Sequence, residues 1–266
     1  MEAVGRSWLT HQERRMTTRS AELNDVAFRQ TRVDLAAALR FAQRLGFSEG
    51  ICNHFSAAVP GREGLFLLNP QGLHWSEIKA GDLIVVDSDG NLVEGRYKAE
   101  PTAFYIHSRV HRARPDAHCV LHTHMPYATA LCCVEGGRLE WCSQNALRFY
   151  GRTAYDSEYN GAALDESEGD RIAAALQGRN SILFMAHHGV IVTAKTIGQA
   201  FDDLYYLERA CMNQVLAQST GLPLRIVPQS VCERFMEQME EVPEQAELHF
   251  EAIKRILDRE SPEYAR

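Results

Sequence analysis

The chain has 266 residues, 45% of them hydrophobic, and a formal charge of −7 with histidine neutral. That length suits one large domain or one domain with an appendage. No apolar run approaches the ~18–20 residues of a membrane-spanning helix, and no basic stripe interleaved with aromatics points to nucleic acid.

The first 23 residues are polar and carry four arginines without a continuous apolar core, so a flexible segment is expected there. Asn24 to Leu45 has helical periodicity, with Leu35, Leu39, Ala42 and Leu45 on one side and Gly46 as a stop. A strand and turn are expected within Gly50–Gly61, a second strand at Gly64–Asn69, a Gly/Pro loop at Pro70–Trp75 and a strand at Leu83–Asp87. Asp89-Gly90 then gives the strongest hairpin signal. Pro101 to Ala113 reads as a helix, with proline at its first position and Pro115 beyond its end.

A strand follows at Cys119–His124, and Pro126–Leu131 begins another helix. Cys133–Leu164 reads as irregular, rich in Gly, Tyr and Asn. Asp165-Glu-Ser-Glu168 has the form of a capping box before a helix to Leu176. Strands at Ser181–Met185 and Val190–Thr193, a long amphipathic helix at Thr196–Ser219, and two polar helices broken near Pro243 complete the chain. Short turns between the early strands favour a mixed sheet between helices over a doubly wound parallel fold. No G-x-G-x-x-G follows a strand, so no dinucleotide site is expected. Seven scattered cysteines with no C-x-x-C pair read as free thiols of a reducing cytoplasm.

The chemistry concentrates on His122 and His124. Positions i and i+2 of a strand share a face, so both rings can reach one metal ion. A third ligand is offered by His187-His188-Gly189, where spacing alone does not choose between the two histidines. Three protein ligands with one open position is the pattern of a catalytic metal; two hydrogen-bonded core histidines are the bland alternative.

Arg114-Pro-Asp116, a strand ending His-x-His, then about sixty residues to an apolar strand, His-Gly, and a helix with Glu208: this order resembles the class II aldolase/adducin head family over about residues 25–225. Asn53-His-Phe-Ser56, Val59-Pro-Gly61, Leu68-Asn-Pro-Gln-Gly-Leu73, Ile106-His-Ser108 and Ser143-Gln-Asn-Ala-Leu-Arg-Phe-Tyr-Gly151 are similar to its adducin-like bacterial branch. The resemblance implies a three-layer α/β/α fold around a mixed, mostly antiparallel sheet, over residues 24–225, leaving 226–266 as a helical extension. It implies a homo-oligomer, usually a tetramer, with sites at subunit edges. It also implies a divalent metal (zinc first, manganese or iron as alternatives) on His122, His124 and His188. In the family such an ion stabilises an enediolate on a small-molecule substrate.

The sequence also departs from the family. The acid/base glutamate of its sugar-phosphate aldolases aligns with Ala103, and Glu100 lies three residues earlier. Glu100 is either a base or a carboxylate at a helix N-terminus. Ala58 stands where an arginine is frequent, and Asn69-Pro-Gln-Gly72 replaces a phosphate-binding loop, which favours a carboxylate over a phosphate as ligand; an ordinary tight turn is the alternative for that loop. Asn53, His54, Asn69 and Gly72 are candidates for substrate binding, and Tyr150 for proton transfer beside Glu100. His54, His74, Tyr127, Tyr155 and Tyr159 are further candidates for that transfer. His107 is either a group supporting the metal or a core histidine. Glu208 either orients a ligand or pairs with a buried arginine. The reading is a metal-dependent lyase acting by aldol cleavage or decarboxylation on a small hydroxy or oxo carboxylate. A non-haem Fe(II) oxygenase of an aromatic acid and a non-catalytic adducin-like binding protein are the alternatives.

Overall fold

The structure is a computed structural model that describes residues 11–161 and 165–266. Eight strands form one sheet: β1 (His54–Ala58), β2 (Leu65–Leu68), β3 (Ile84–Asp87), β4 (Leu92–Glu94), β5 (Cys119–Thr123), β6 (Thr153–Asp156), β7 (Ile182–Met185) and β8 (Gly189–Ala194). Their order is β4-β3-β2-β1-β5-β8-β7-β6, antiparallel throughout except for the β6–β7 pair. The helices are α1 (His11–Arg44), α2 (Pro101–Ala113), α3 (Pro126–Cys132), α4 (Gln144–Leu147), α5 (Glu166–Ala175), α6 (Ile197–Gln218), α7 (Gln229–Glu240) and α8 (Gln245–Glu260).

Strand alternation builds the layers. Phe55 and Ala57, Cys119 and Leu121, Ile182 and Phe184, Val190 and Val192 face a large core shared with α1, α3, α6 and α8. Val120, Leu183, Met185 and Ile191 face the other way, onto Ile106 and Val110 of α2 and Ile172, Ala173 and Leu176 of α5. The sheet is therefore covered on both faces, and the expected α/β/α architecture is observed. By the same alternation His54, Ser56 and His122 belong to the α2 face. Phe250, Ile253 and Leu257 of α8 enter the large core, so that helix is built into the body of the fold.

Three local expectations are corrected. The first helix begins at His11 rather than Asn24, so the expected flexible segment is already helical from His11; residues 1–10 lie outside the described residues. It ends as expected, where Gly46 adopts φ 77° and the Phe47 N–H reaches back to the Ala42 carbonyl. The stretch read as irregular contains α4 and the parallel edge strand β6. The capping box at Asp165 does not form: Asp165 accepts from Ser167 N, while the Glu168 carboxylate pairs with Arg171.

Candidate metal centre

The three histidines arrive from two neighbouring connections. His122 lies near the end of β5, where His54 of β1 and Ile191 of β8 are its cross-strand partners. His124 follows one residue past the strand. The β7–β8 turn then folds over this end. His187 takes a left-handed φ of 59° and points outward, exposed, while His188 turns inward. The turn thus brings His188 rather than His187 to the cluster: ligand atoms of His122, His124 and His188 all lie within 4.8 Å of one another.

Gly189 makes the approach feasible. A Cβ there would stand 2.5 Å from the Thr123 carbonyl oxygen and 2.7 Å from the His124 ring. A side chain would push the turn off β5 and part His188 from its companions.

The residues fit a divalent ion. His122 Nδ1 lies 3.0 Å from the Val190 carbonyl, a bond that fixes the ring as the Nδ1–H tautomer and leaves Nε2 free to ligate. His124 Nε2 is buried with no hydrogen-bond partner, a cost that a ligand at that atom would relieve. Burial holds the pKa of His122 well below the usual imidazole range, helped by the neighbouring His54, His188 and His124. Burial lowers His124 too, partly opposed by Glu49, and it lowers His188 to about 4 with help from His124 and Arg171. All three are neutral at neutral pH, the form that binds metal. The nearby Cys132 thiol donates to the Gly189 carbonyl at 3.3 Å, and burial raises its pKa to about 12. It stays a thiol, and the donor set is all nitrogen.

Around the histidines stand several of the other expected residues. His54 packs on His122 with ring centroids 4.8 Å apart, and its Nδ1 meets His107 Nε2 at 2.8 Å. His107 is fully buried and bonds onward to Ser56. Asn53 accepts from Glu49 N at 2.8 Å and His124 N at 3.4 Å, which orients the amide and leaves its buried Nδ2 without an acceptor. Asn69 braces this corner, accepting from Phe55 N and donating to the Asn53 carbonyl. Glu208 accepts from Tyr127 N and Ala128 N, each at 2.9 Å, and so clamps the start of α3 directly after His124. Its pKa is raised by burial against those two bonds.

Other expected residues are held elsewhere. Glu100 is the N-cap of α2, accepting from Ala103 N at 2.8 Å, and is not part of the histidine cluster. Ala103 sits fully buried with Phe66, Leu68, Ile84 and Val86. The Tyr150 ring packs edge-on against Trp141, centroids 5.3 Å apart. Gly72 lies in an exposed turn with φ 89°. His74 bonds to Ser76, and the Tyr155 hydroxyl accepts from Leu139 N. Tyr159 is half-exposed with its ring 6.4 Å from that of His188. Sequence reasoning passed over Ser56 and His111, which join His107 in one hydrogen-bonded cluster. The i, i+2 pair His54/Ser56 and the i, i+4 pair His107/His111 were the available signal.

Comparison with known proteins agrees with this geometry. A protein of Caulobacter vibrioides provisionally named a class 2 aldolase is 37% identical over 239 residues, covering 89% of this chain and 92% of its own. The decarboxylase NovR of Streptomyces niveus is 34% identical over 72% of this chain and 71% of its own. The crystal structure of an aldolase II superfamily protein from Pseudomonas syringae superposes with a TM-score of 0.83 at 36% identity, over 90% of this chain and 96% of that one. The sequence profile of the class II aldolase and adducin N-terminal domain matches residues 33–215, the stretch that carries the whole sheet and all three clustered histidines. This chain belongs to the class II aldolase and adducin N-terminal domain family.

Proposed function

We propose that the protein is a divalent-metal-dependent carbon–carbon lyase, acting by aldol cleavage or decarboxylation on a small hydroxy or oxo carboxylate. The observation that carries this reading is the convergence of three neutral imidazoles on one point, with His124 Nε2 buried and unpartnered there. A divalent cation held by His122, His124 and His188 would supply Lewis-acid polarisation of a substrate carbonyl. The likeness to a decarboxylase supports the reaction class.

The chain's own groups divide the remaining work. Asn53 Nδ2–H is a pre-oriented donor without a partner, suited to a substrate oxygen that gains charge. His54 uses Nδ1 on His107, so Nε2 is the nitrogen left to handle a proton. With Ala103 in an apolar cluster and Glu100 engaged as a cap, this histidine takes over the acid–base duty that a glutamate performs in the sugar-phosphate aldolases. Asn69 and Glu208 hold backbone in place and touch no substrate in this reading. A second copy of the chain would wall the half-buried side of His124 and His188, as in an oligomer with sites at its subunit edges.

The test is metal analysis followed by a substrate screen with His188→Ala as the blank. Stoichiometric zinc or manganese in the wild type, and turnover of an oxo or hydroxy acid that the blank lacks, are expected. Turnover that needs Fe(II) and O₂ and fails with zinc or manganese would replace the lyase with an oxygenase. Absence of metal, with ligand binding unaffected by His122→Ala, would leave a binding protein.

A further inference from the structure

Four side chains form an unbroken file on the α2 face of the sheet. His54 and Ser56 project from β1, and His107 and His111 from successive turns of α2. His54 Nδ1 meets His107 Nε2 at 2.8 Å, His107 Nδ1 meets Ser56 Oγ, and Ser56 Oγ meets His111 Nε2 at 2.7 Å. His54, Ser56 and His107 are all buried. One end of the file packs on His122 of the metal centre. At the other end His111 stacks on Phe66, centroids 5.1 Å apart, and lines a separate cavity of about 580 Å³ with Ser108, Arg112 and His118.

Proton counting restricts this file severely. A neutral imidazole carries one N–H and the serine one O–H, and each link needs one donor and one acceptor. Three arrangements satisfy all three links, because the serine oxygen can also accept twice. In the first, His54, His107 and His111 all carry the proton on Nδ1, and the Ser56 hydroxyl donates to His111. In the second, all three carry it on Nε2, and Ser56 donates to His107. In the third, His54 and His107 carry it on Nδ1 and His111 on Nε2, with Ser56 accepting from both; any other combination sets two lone pairs or two hydrogens face to face in a dry core. A proton on His111 Nδ1 therefore forces one on His54 Nδ1, two links beyond its own partner. The Ala117 carbonyl beside the His111 ring, whose Nε2 is already used by Ser56, favours a proton on His111 Nδ1 and with it the first arrangement.

We propose that Ser56, His107 and His111 are positioning residues that set the tautomer of His54, holding its proton on Nδ1 so that it presents an unprotonated Nε2 at the histidine cluster. The tautomer rule stands on the file alone; its use in proton handling or ligation rests on the proposed metal centre.

The experiment is long-range ¹H–¹⁵N correlation on ¹⁵N-histidine-labelled full-length protein, which reads the tautomer of each ring, with zinc alone as the probe for affinity. In the wild type His54, His107 and His111 should all appear as Nδ1–H. Ser56→Ala and His111→Phe (the latter keeping the stack on Phe66) should each turn His54 into a tautomer mixture. Zinc affinity should move no more than a few-fold, because His54 is not among the three ligands and a tautomer mixture leaves about half the molecules competent. Ser56→Thr, which keeps the hydroxyl, should restore the single tautomer. Circular dichroism selects variants that retain the fold, and two independent variants cover a failure of one. His54 found as Nε2–H in the wild type, or unchanged in both broken files, overturns the proposal. Failure of the wild type to bind zinc while the tautomers follow the rule sinks the metal centre and leaves the file standing.

Discussion

The two ends of the central sheet each gather polar side chains, and they treat them in opposite ways. At the start of β5 and the end of β8, Arg114 is paired with Asp116, Arg148 with Asp202, and Arg152 with Asp203, around a cavity of about 410 Å³. Arg114 also donates to the Asn180 carbonyl and Arg152 to Ser181, and His249 bonds the second oxygen of Asp202. At the other end, three imidazoles and the Asn53 amide converge, with His124 Nε2 and Asn53 Nδ2 left without partners. The first cluster engages all its carboxylates, with Arg148 Nε left unpartnered, and holds the fold together. The second leaves buried nitrogens of His124 and Asn53 unmatched beside three neutral imidazoles, which is what the proposed metal centre requires.

The largest test of this contrast removes a ligand. His124→Ala or His188→Ala should abolish stoichiometric metal, measured by elemental analysis after dialysis, with the metal-free melting temperature nearly unchanged. Full metal retention would make the histidines ordinary core residues. The mirror test is Asp203→Ala. It leaves Arg152 largely buried beside a vanished partner and should cost about 3 kcal/mol in denaturant unfolding, with zinc uptake intact. Replacing both partners by apolar residues should recover much of that loss. A drop in zinc uptake on Asp203→Ala would show the two ends to be coupled.

Within the open end, Asn53→Ala should lower kcat ~100-fold while zinc affinity moves only a few-fold, since it removes a donor rather than a ligand. Acidification gives a graded test on metal-free protein. The folded-state pKa values of His188 and His111 are lowered to about 4, each chiefly by burial. Unfolded histidines titrate near ~6.5, so between these values the unfolded chain binds more protons. The stability contribution is complete above ~6.5 and is lost as pH falls towards 4. The melting temperature should fall across that window, less steeply in His111→Phe. The smallest effect belongs to Glu100→Ala, which should cost ~1 kcal/mol as a lost N-cap and leave kcat intact. A 100-fold loss of kcat would instead restore Glu100 as a base.

Much of the site was legible because strand geometry is periodic. His122 and His124 share a face by simple alternation; the close approach that requires a glycine at 189 shows only in the structure. The choice of His188 over His187 was different in kind. It depends on one residue at φ 59°, which no spacing encodes and which only the family resemblance indicated. Strand β6 was invisible because Thr153–Asp156 are all half-buried and carry no alternation; its identity comes from pairing with β7, remote in sequence. Glu100 and Ala103 show the limit of alignment. Position alone offered a carboxylate near a missing one, but its Oε2 is committed to the helix start. Ser56 and His111 were hidden because a hydrogen-bonded file links a strand to a helix, and neither element's own period reveals it.

The cross-strand pairing of His54 with His122, and of His122 with Ile191, has a practical consequence for refolding. A slip of one residue in either pairing would carry His122 to the opposite face of the sheet. Misregistered molecules can still be compact and rich in β-structure, and bulk spectroscopy would count them as folded. They would not assemble the three imidazoles. Uptake of a coloured ion such as Co(II) would therefore act as a checksum on β5, counting the molecules in a preparation whose central strand is in register.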